Sequence, residues 1–162
     1  MSLENRIRIL EDKESVKQLM RHYALTCDKG YPPDEMMAHF SDDFVMEFGE
    51  PVGDYRGEQV EQFWKLAPSI NVQPRHYMMS PLIDISEDGK SARGSIYLWE
   101  ATTQFDSDSN PIPVWAAGVY DNEFKKVDGV WKISVIRLRF ETLCSMEAGW
   151  VAEKIREMNI DM

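Results

Sequence analysis

From Pro74 onward the chain carries four long β-rich segments, Arg75 to Ile85, Ala92 to Phe105, Val114 to Val127 and Val130 to Phe140, separated only by turn signals. The breaks are Glu87-Asp88-Gly89-Lys90, Asp106-Ser107-Asp108-Ser109-Asn110-Pro111 and Asp128-Gly129, the last a strong two-residue hairpin signal. Connections this short join antiparallel neighbours, so the segments read as a four-strand meander. Several are apolar on both faces. In the third, Val114, Ala116, Gly118, Tyr120 and Phe124 fall on one side, and Trp115, Ala117 and Val119 on the other. Such a sheet needs cover twice: helices on one face, and a subunit interface or an enclosed apolar pocket for the other.

The helices precede the sheet. Val16, Leu19, Met20, Tyr23, Ala24 and Cys27 repeat at the spacing of one helical face and predict a helix over about residues 12–28, stopped at Gly30. Tyr31-Pro32-Pro33-Asp34 starts a second short helix facing the core with Met36, Met37 and Phe40. Phe44, Met46 and Phe48 alternate as a short strand, and Gly57 opens a third helix with the stripe Val60, Phe63, Trp64 and Ala67, ended by Pro68. Met146 to Met158, with Trp150, Val151 and Ile155, reads as a C-terminal helix. Helices first and antiparallel strands after them make an α+β fold, a curved sheet wrapped around the N-terminal helices. At 162 residues with no repeat or linker, the expectation is one domain over 1–162, its core at about 10–142 and the last helix at about 146–158.

Charge narrows the partners. With 28 acidic against 18 basic side chains the formal charge is -10, a field that repels phosphate backbones and anionic headgroups, so nucleic acid and membrane surfaces are poor partners. No apolar run approaches bilayer length and Ser2-Leu3-Glu4-Asn5-Arg6 is no secretory leader, which gives a cytoplasmic expectation. Cys27 and Cys144 share no ligand spacing and read as separate buried thiols. No set of residues has metal-ligand spacing; His22 and His39 lie off the apolar stripes of their helices.

A few polar residues interrupt this pattern. Asp28 ends the first helix, where the macrodipole disfavours a carboxylate; it is either a solvated turn residue or a carboxylate held at a pocket mouth for a compensating reason. His76 starts a strand, and a histidine in an apolar pocket can act as a general base near neutrality. Arg137 and Arg139 break an apolar strand and are assigned to the face of Ile133 and Val135, either paired with Asp28 or Glu141 or binding a ligand's anionic or carbonyl group. The aromatic residues Tyr23, Trp64, Tyr77, Trp99, Trp115 and Tyr120 are core material that a curved sheet could present to a pocket.

Tyr23-Ala24-Leu25-Thr26-Cys27-Asp28-Lys29, Arg75-His76-Tyr77 and Asp128-Gly129-Val130-Trp131-Lys132-Ile133, in this order of elements, resemble the SnoaL-like group of the nuclear-transport-factor-like superfamily over roughly residues 10–142. That group includes scytalone dehydratase, bile-acid dehydratase and hexachlorocyclohexane dehydrochlorinase. The resemblance implies a cone-shaped α+β barrel and a catalytic pair of Asp28 and His76, with Tyr23 as a third catalytic group and Arg137 or Arg139 near the position of an assisting arginine. No histidine follows His76, which argues against the scytalone reaction itself. The implied activity is a lyase acting on a hydrophobic small molecule by β-elimination, dehydration foremost, without metal or organic cofactor. Alternatives within the resemblance are a polyketide cyclase or ketosteroid-type isomerase using the same pocket, or a non-catalytic ligand-binding or assembly module. A homo-oligomer is expected, trimer ahead of dimer.

Overall fold

The strand pairing begins at the Asp128-Gly129 turn, where Asp128 (φ 49°) and Gly129 (φ 82°) both adopt the left-handed backbone of a tight hairpin. A computed structural model of the chain describes residues 1–158. The elements are α1 (Leu3–Asp28), α2 (Pro33–Met37), β1 (Phe40–Glu47), β2 (Asp54–Arg56), α3 (Glu58–Ile70), β3 (Val72–Ile85), β4 (Ser91–Phe105), β5 (Pro111–Val127), β6 (Val130–Ser145) and α4 (Gly149–Ala152). The sheet runs β2-β1-β6-β5-β4-β3, antiparallel except where β1 lies parallel to β6. The α+β expectation and the meander β3 to β6 therefore hold, in a curved open sheet.

The inner face carries the core. Tyr23, Met20 and Cys27 of α1 and Val60, Phe63 and Trp64 of α3 pack against Ile96, Leu98, Tyr120, Phe124, Ile136 and Leu138 of the sheet. Phe40, assigned from sequence to the second helix, opens β1 and stacks on Phe44 with ring centroids 4.1 Å apart. Helix α1 begins at Leu3, capped by the Ser2 hydroxyl accepting from the Asn5 amide at 3.3 Å. Its first turns carry exposed Leu3, Ile7 and Leu10, so core-facing periodicity could not reveal them. Pro68 lies inside α3 rather than ending it: in the last turn its missing N–H costs one hydrogen bond, and the Asn71 amide still reaches the Ala67 carbonyl at 2.9 Å.

Two expectations are corrected. In β6 the register slips by one residue at Ser134, because Glu123 pairs with Val135 while Phe124 pairs with Ile133. This bulge leaves Ile133, Ile136 and Leu138 buried and turns Arg137 and Arg139 to the outer face, so the two arginines do not share a face with Ile133. The C-terminal helix is also shorter than 146–158. Only Gly149–Ala152 is helical, and Trp150 and Val151 are 58% and 93% exposed because no apolar surface faces them. Past Arg137 the edge of β6 no longer has β1 beside it. The following segment pairs there instead: the Leu143 amide donates to the Lys154 carbonyl at 2.9 Å and the Arg156 amide to the Leu143 carbonyl at 2.8 Å.

Candidate active site

The end of α1 meets the start of β3. Asp28 Oδ1 accepts from the His76 backbone amide and from His76 Nδ1, each at 2.9 Å. These two bonds are what compensates a carboxylate at a helix C-terminus. They also fix the ring, since a carboxylate only accepts and Nδ1 must then carry the proton, leaving Nε2 as the acceptor. The His76 side chain is 5% exposed and that of Asp28 23%.

Nε2 looks across to a second carboxyl. Glu100 is the direct cross-strand partner of His76 on β4, and its Oε2 lies 3.6 Å from Nε2, with the Glu100 side chain 7% exposed. Burial opposes the charge on His76, but the charge of Glu100 and the hydrogen bond and charge of Asp28 outweigh it and raise the imidazole above its ordinary value. Burial raises Glu100 as well, with His76 working against the rise and Asp28 adding to it. The pair therefore keeps a shared proton to higher pH than either group would in water.

Both residues line a cavity walled by Tyr23, Tyr31, Trp64 and Tyr120. The space it leaves for water-sized molecules is about 50 Å³, room for a few waters, and Ile70 and Met158 also line it. Tyr23 belongs to this wall, edge-on to Trp64 at 6.3 Å and to Tyr120 at 6.2 Å. Among the described residues it makes no hydrogen bond to Asp28 or His76, and burial first, then nearby Cys27 and Tyr120, pushes its phenol up, so it stays neutral. Tyr31 stands closer to the imidazole, edge-on at 6.1 Å and stacked on Trp64 at 6.0 Å. Its φ of 56° is a strained backbone for a non-glycine residue, held by that packing.

The arginines lie elsewhere. Arg137 is held by Glu47, with Nε and Nη2 each 2.7 Å from Oε2, and donates to the Asp121 carbonyl at 3.1 Å. Arg139 pairs with Glu141 at 3.3 Å in solvent. Neither lines this cavity, because the β6 bulge turns both to the outer face. His22 and His39 are also outside it; His39 Nε2 shares a hydrogen bond with the Thr26 hydroxyl at 2.8 Å. Cys27 and Cys144 are free and buried. Asp28, His76 and Glu100 run in a line through the imidazole, and among the described residues no group of three or more His, Cys, Asp or Glu side chains is placed to hold a metal ion.

Sequence reasoning missed Glu100 and Tyr31. The signal for Glu100 was present: Ala92, Ile96 and Leu98 face inward, and strand alternation puts position 100 on the same face. Tyr31 read as part of a turn, and nothing in the pattern placed its ring beside His76.

Comparison with known proteins gives the family and the fold. Residues 8–137 match the model of the SnoaL-like domain family. Among solved structures, one from Novosphingobium aromaticivorans DSM 12444, provisionally named a scytalone dehydratase, superposes with a TM-score of 0.76 at 17% identity, covering 86% of this chain and 90% of that one. LinA superposes with a TM-score of 0.76 at 16% identity, covering 97% and 99%. The hexachlorocyclohexane dehydrochlorinase LinA-type3 from Novosphingobium barchaimii LL02 gives 0.72 at 19% identity, covering 89% and 95%. These likenesses establish the fold. No curated protein matches the sequence significantly.

Proposed function

Because the chain belongs to the SnoaL-like domain family, we propose that it is a cofactor-independent lyase that removes a proton from carbon and expels a neighbouring leaving group from a small apolar molecule. The observation that carries this reading is the double hold of Asp28 Oδ1 on His76, at 2.9 Å to the amide and 2.9 Å to Nδ1. It presets the neutral tautomer with Nε2 free to take a proton, and Asp28 then stabilises the imidazolium that forms. The largely aromatic and apolar wall suits a hydrophobic substrate. Tyr23, kept neutral by burial, lines the same cavity as His76.

The test uses a substrate that needs only a base. Ring opening of 5-nitrobenzisoxazole begins with removal of its one reactive carbon-bound proton, breaks the N–O bond and releases a coloured phenolate. Wild type should accelerate it in the presence of chelator, and His76→Ala should lose roughly 10²–10⁴-fold of that acceleration. Equal rates in wild type and His76→Ala would leave a ligand-binding module in place of an enzyme.

A homo-oligomer is part of the same reading. The outer face of β3 to β5 exposes Tyr77, Met79 and Tyr97 beside Trp99 and Trp115, whose rings are 5.1 Å apart. A contiguous apolar face of this kind calls for a second copy, and a trimer is the expected state. Light scattering that returned a monomer at micromolar concentration would remove this part. Among the described residues no helix is long and apolar enough to cross a membrane.

A further inference from the structure

Two polar atoms in the wall of the cavity are buried and have no hydrogen-bond partner: Trp64 Nε1 and Glu100 Oε1. An orphaned buried donor and an orphaned carboxyl oxygen each cost free energy that folding does not recover. Both belong to residues lining one pocket, and both are answered by the same kind of atom, an oxygen on a bound molecule. The other oxygen of Glu100 is the one that lies 3.6 Å from His76 Nε2. We infer that the pocket is built for an oxygen-bearing ring, an alcohol or a carbonyl compound, with Trp64 Nε1–H and Glu100 as donors to its oxygen and Glu100 as the acid opposite the base His76.

This deepens the lyase reading and rests on it for the chemical step. Glu100 can donate because burial holds its carboxyl up and favours the neutral form. In dehydration His76 Nε2 takes the proton from carbon, the C–H electron pair becomes the second bond of the alkene, and the C–O bond breaks with its pair staying on oxygen. That oxygen takes the proton of Glu100 and leaves as water. The imidazolium then returns its proton to the Glu100 carboxylate across the 3.6 Å gap, which restores both groups with no other reactant. Because acid and base stand side by side, the proton and the hydroxyl leave from the same face of the substrate. A halogenated hydrocarbon would satisfy neither orphan atom, so the arrangement selects oxygen over halogen as the group to be held.

Binding tests the assignment without turnover. The probes are 4-nitrophenol, which presents a hydroxyl oxygen, and nitrobenzene, which has the same ring and nitro group without that hydroxyl, titrated against wild type by quenching of tryptophan fluorescence. Wild type should bind 4-nitrophenol at least about tenfold more tightly, the scale of one well-made hydrogen bond. Trp64→Phe keeps an aromatic ring but removes the N–H, and should lose roughly tenfold for 4-nitrophenol while leaving nitrobenzene unchanged. Glu100→Leu should do the same, and Glu100→Gln, whose amide still donates, should recover most of the loss. Equal affinity of wild type for the two probes, or no binding of either, overturns the assignment. So does a parallel loss of both probes in Trp64→Phe or Glu100→Leu with circular dichroism unchanged. A failed preference would leave the ring-opening result for His76 standing, so the two claims fail separately.

Discussion

Helix α1 delivers two carboxylates to the sheet, Asp12 from its first half and Asp28 from its C-terminal end, and the two sites are built on opposite principles. At the first, Asp12 accepts from Trp131 Nε1 at 2.9 Å and from Lys126 Nζ at 2.5 Å, and its other oxygen lies 3.9 Å from the Arg8 guanidinium. Burial works to raise that carboxyl, but the hydrogen bonds of Lys126 and Trp131 and the charges of Lys126 and Arg8 outweigh it and lower it. At the second, Asp28 and Glu100 share one imidazole, which supplies at most one positive charge for two acids. The first arrangement closes α1 onto the β5–β6 hairpin with permanent cations. The second leaves a carboxyl that nothing in the fold neutralises permanently, and an unsettled buried acid in a cavity marks a place for chemistry rather than for stability.

The largest effect is expected where the charges are closed. Asp12→Ala leaves the half-buried Lys126 and the buried indole N–H of Trp131 without their partner, and should cost about 2–3 kcal/mol in urea unfolding. An unchanged midpoint would mean that this cluster is ornament and that the contrast between the two sites is empty.

At the other site, Asp28→Asn keeps the shape of the side chain but removes the charge that selects the tautomer and steadies the imidazolium. It should slow 5-nitrobenzisoxazole opening about 100-fold, roughly 2.7 kcal/mol of barrier, while the double variant with His76→Ala should be no slower than His76→Ala alone. Additive losses would show that the two residues do not act as a unit. Stability sharpens the contrast further. Glu100→Gln removes an acid that burial penalises, so it should leave the unfolding free energy unchanged or raise it by about 1 kcal/mol. A loss approaching that of Asp12→Ala would make Glu100 a structural residue.

How much of this was legible follows the same division. The core-facing half of α1, the meander and the Asp28–His76 pair could be read because each rests on periodicity, a turn dipeptide or a motif carried by neighbouring residues. Arg137 was misplaced because one residue of slip at Ser134 reverses the side chains of β6 from Val135 as far as Phe140, where a second slip follows, and a bulge leaves no mark in an alternating pattern whose apolar residues continue on both parities. The C-terminal helix was overread because Trp150, Val151 and Ile155 suggest a buried stripe that has nothing to pack on, while the free edge of β6, a tertiary fact, takes the chain instead. Glu100 was legible in parity alone, but its meaning came from the histidine opposite it on β3.

The smallest effect is also the most discriminating, because the two sites should bend the pH profile in opposite directions. Asp12 is lowered from an ordinary value of 3.8, so the stability it contributes is present above that pH and is lost as pH falls through its folded value. Glu100 is raised from 4.5: below that pH the carboxyl is protonated folded and unfolded alike, and above it the unfolded chain releases a proton that the folded one retains. Stability attributable to Glu100 therefore declines as pH rises from 4.5 toward its folded value. His76, raised from 6.5, adds a second decline above that point, part of which depends on the charge of Glu100. The advantage of wild type over Asp12→Asn should shrink below about pH 4. Glu100→Gln should instead gain on wild type as pH rises from about 4.5, and gain again above about 6.5. Chemical unfolding of the three proteins between pH 3 and pH 8 measures both differences, and profiles that ran parallel to wild type throughout would mean that neither carboxyl differs in proton affinity between the folded and unfolded chain.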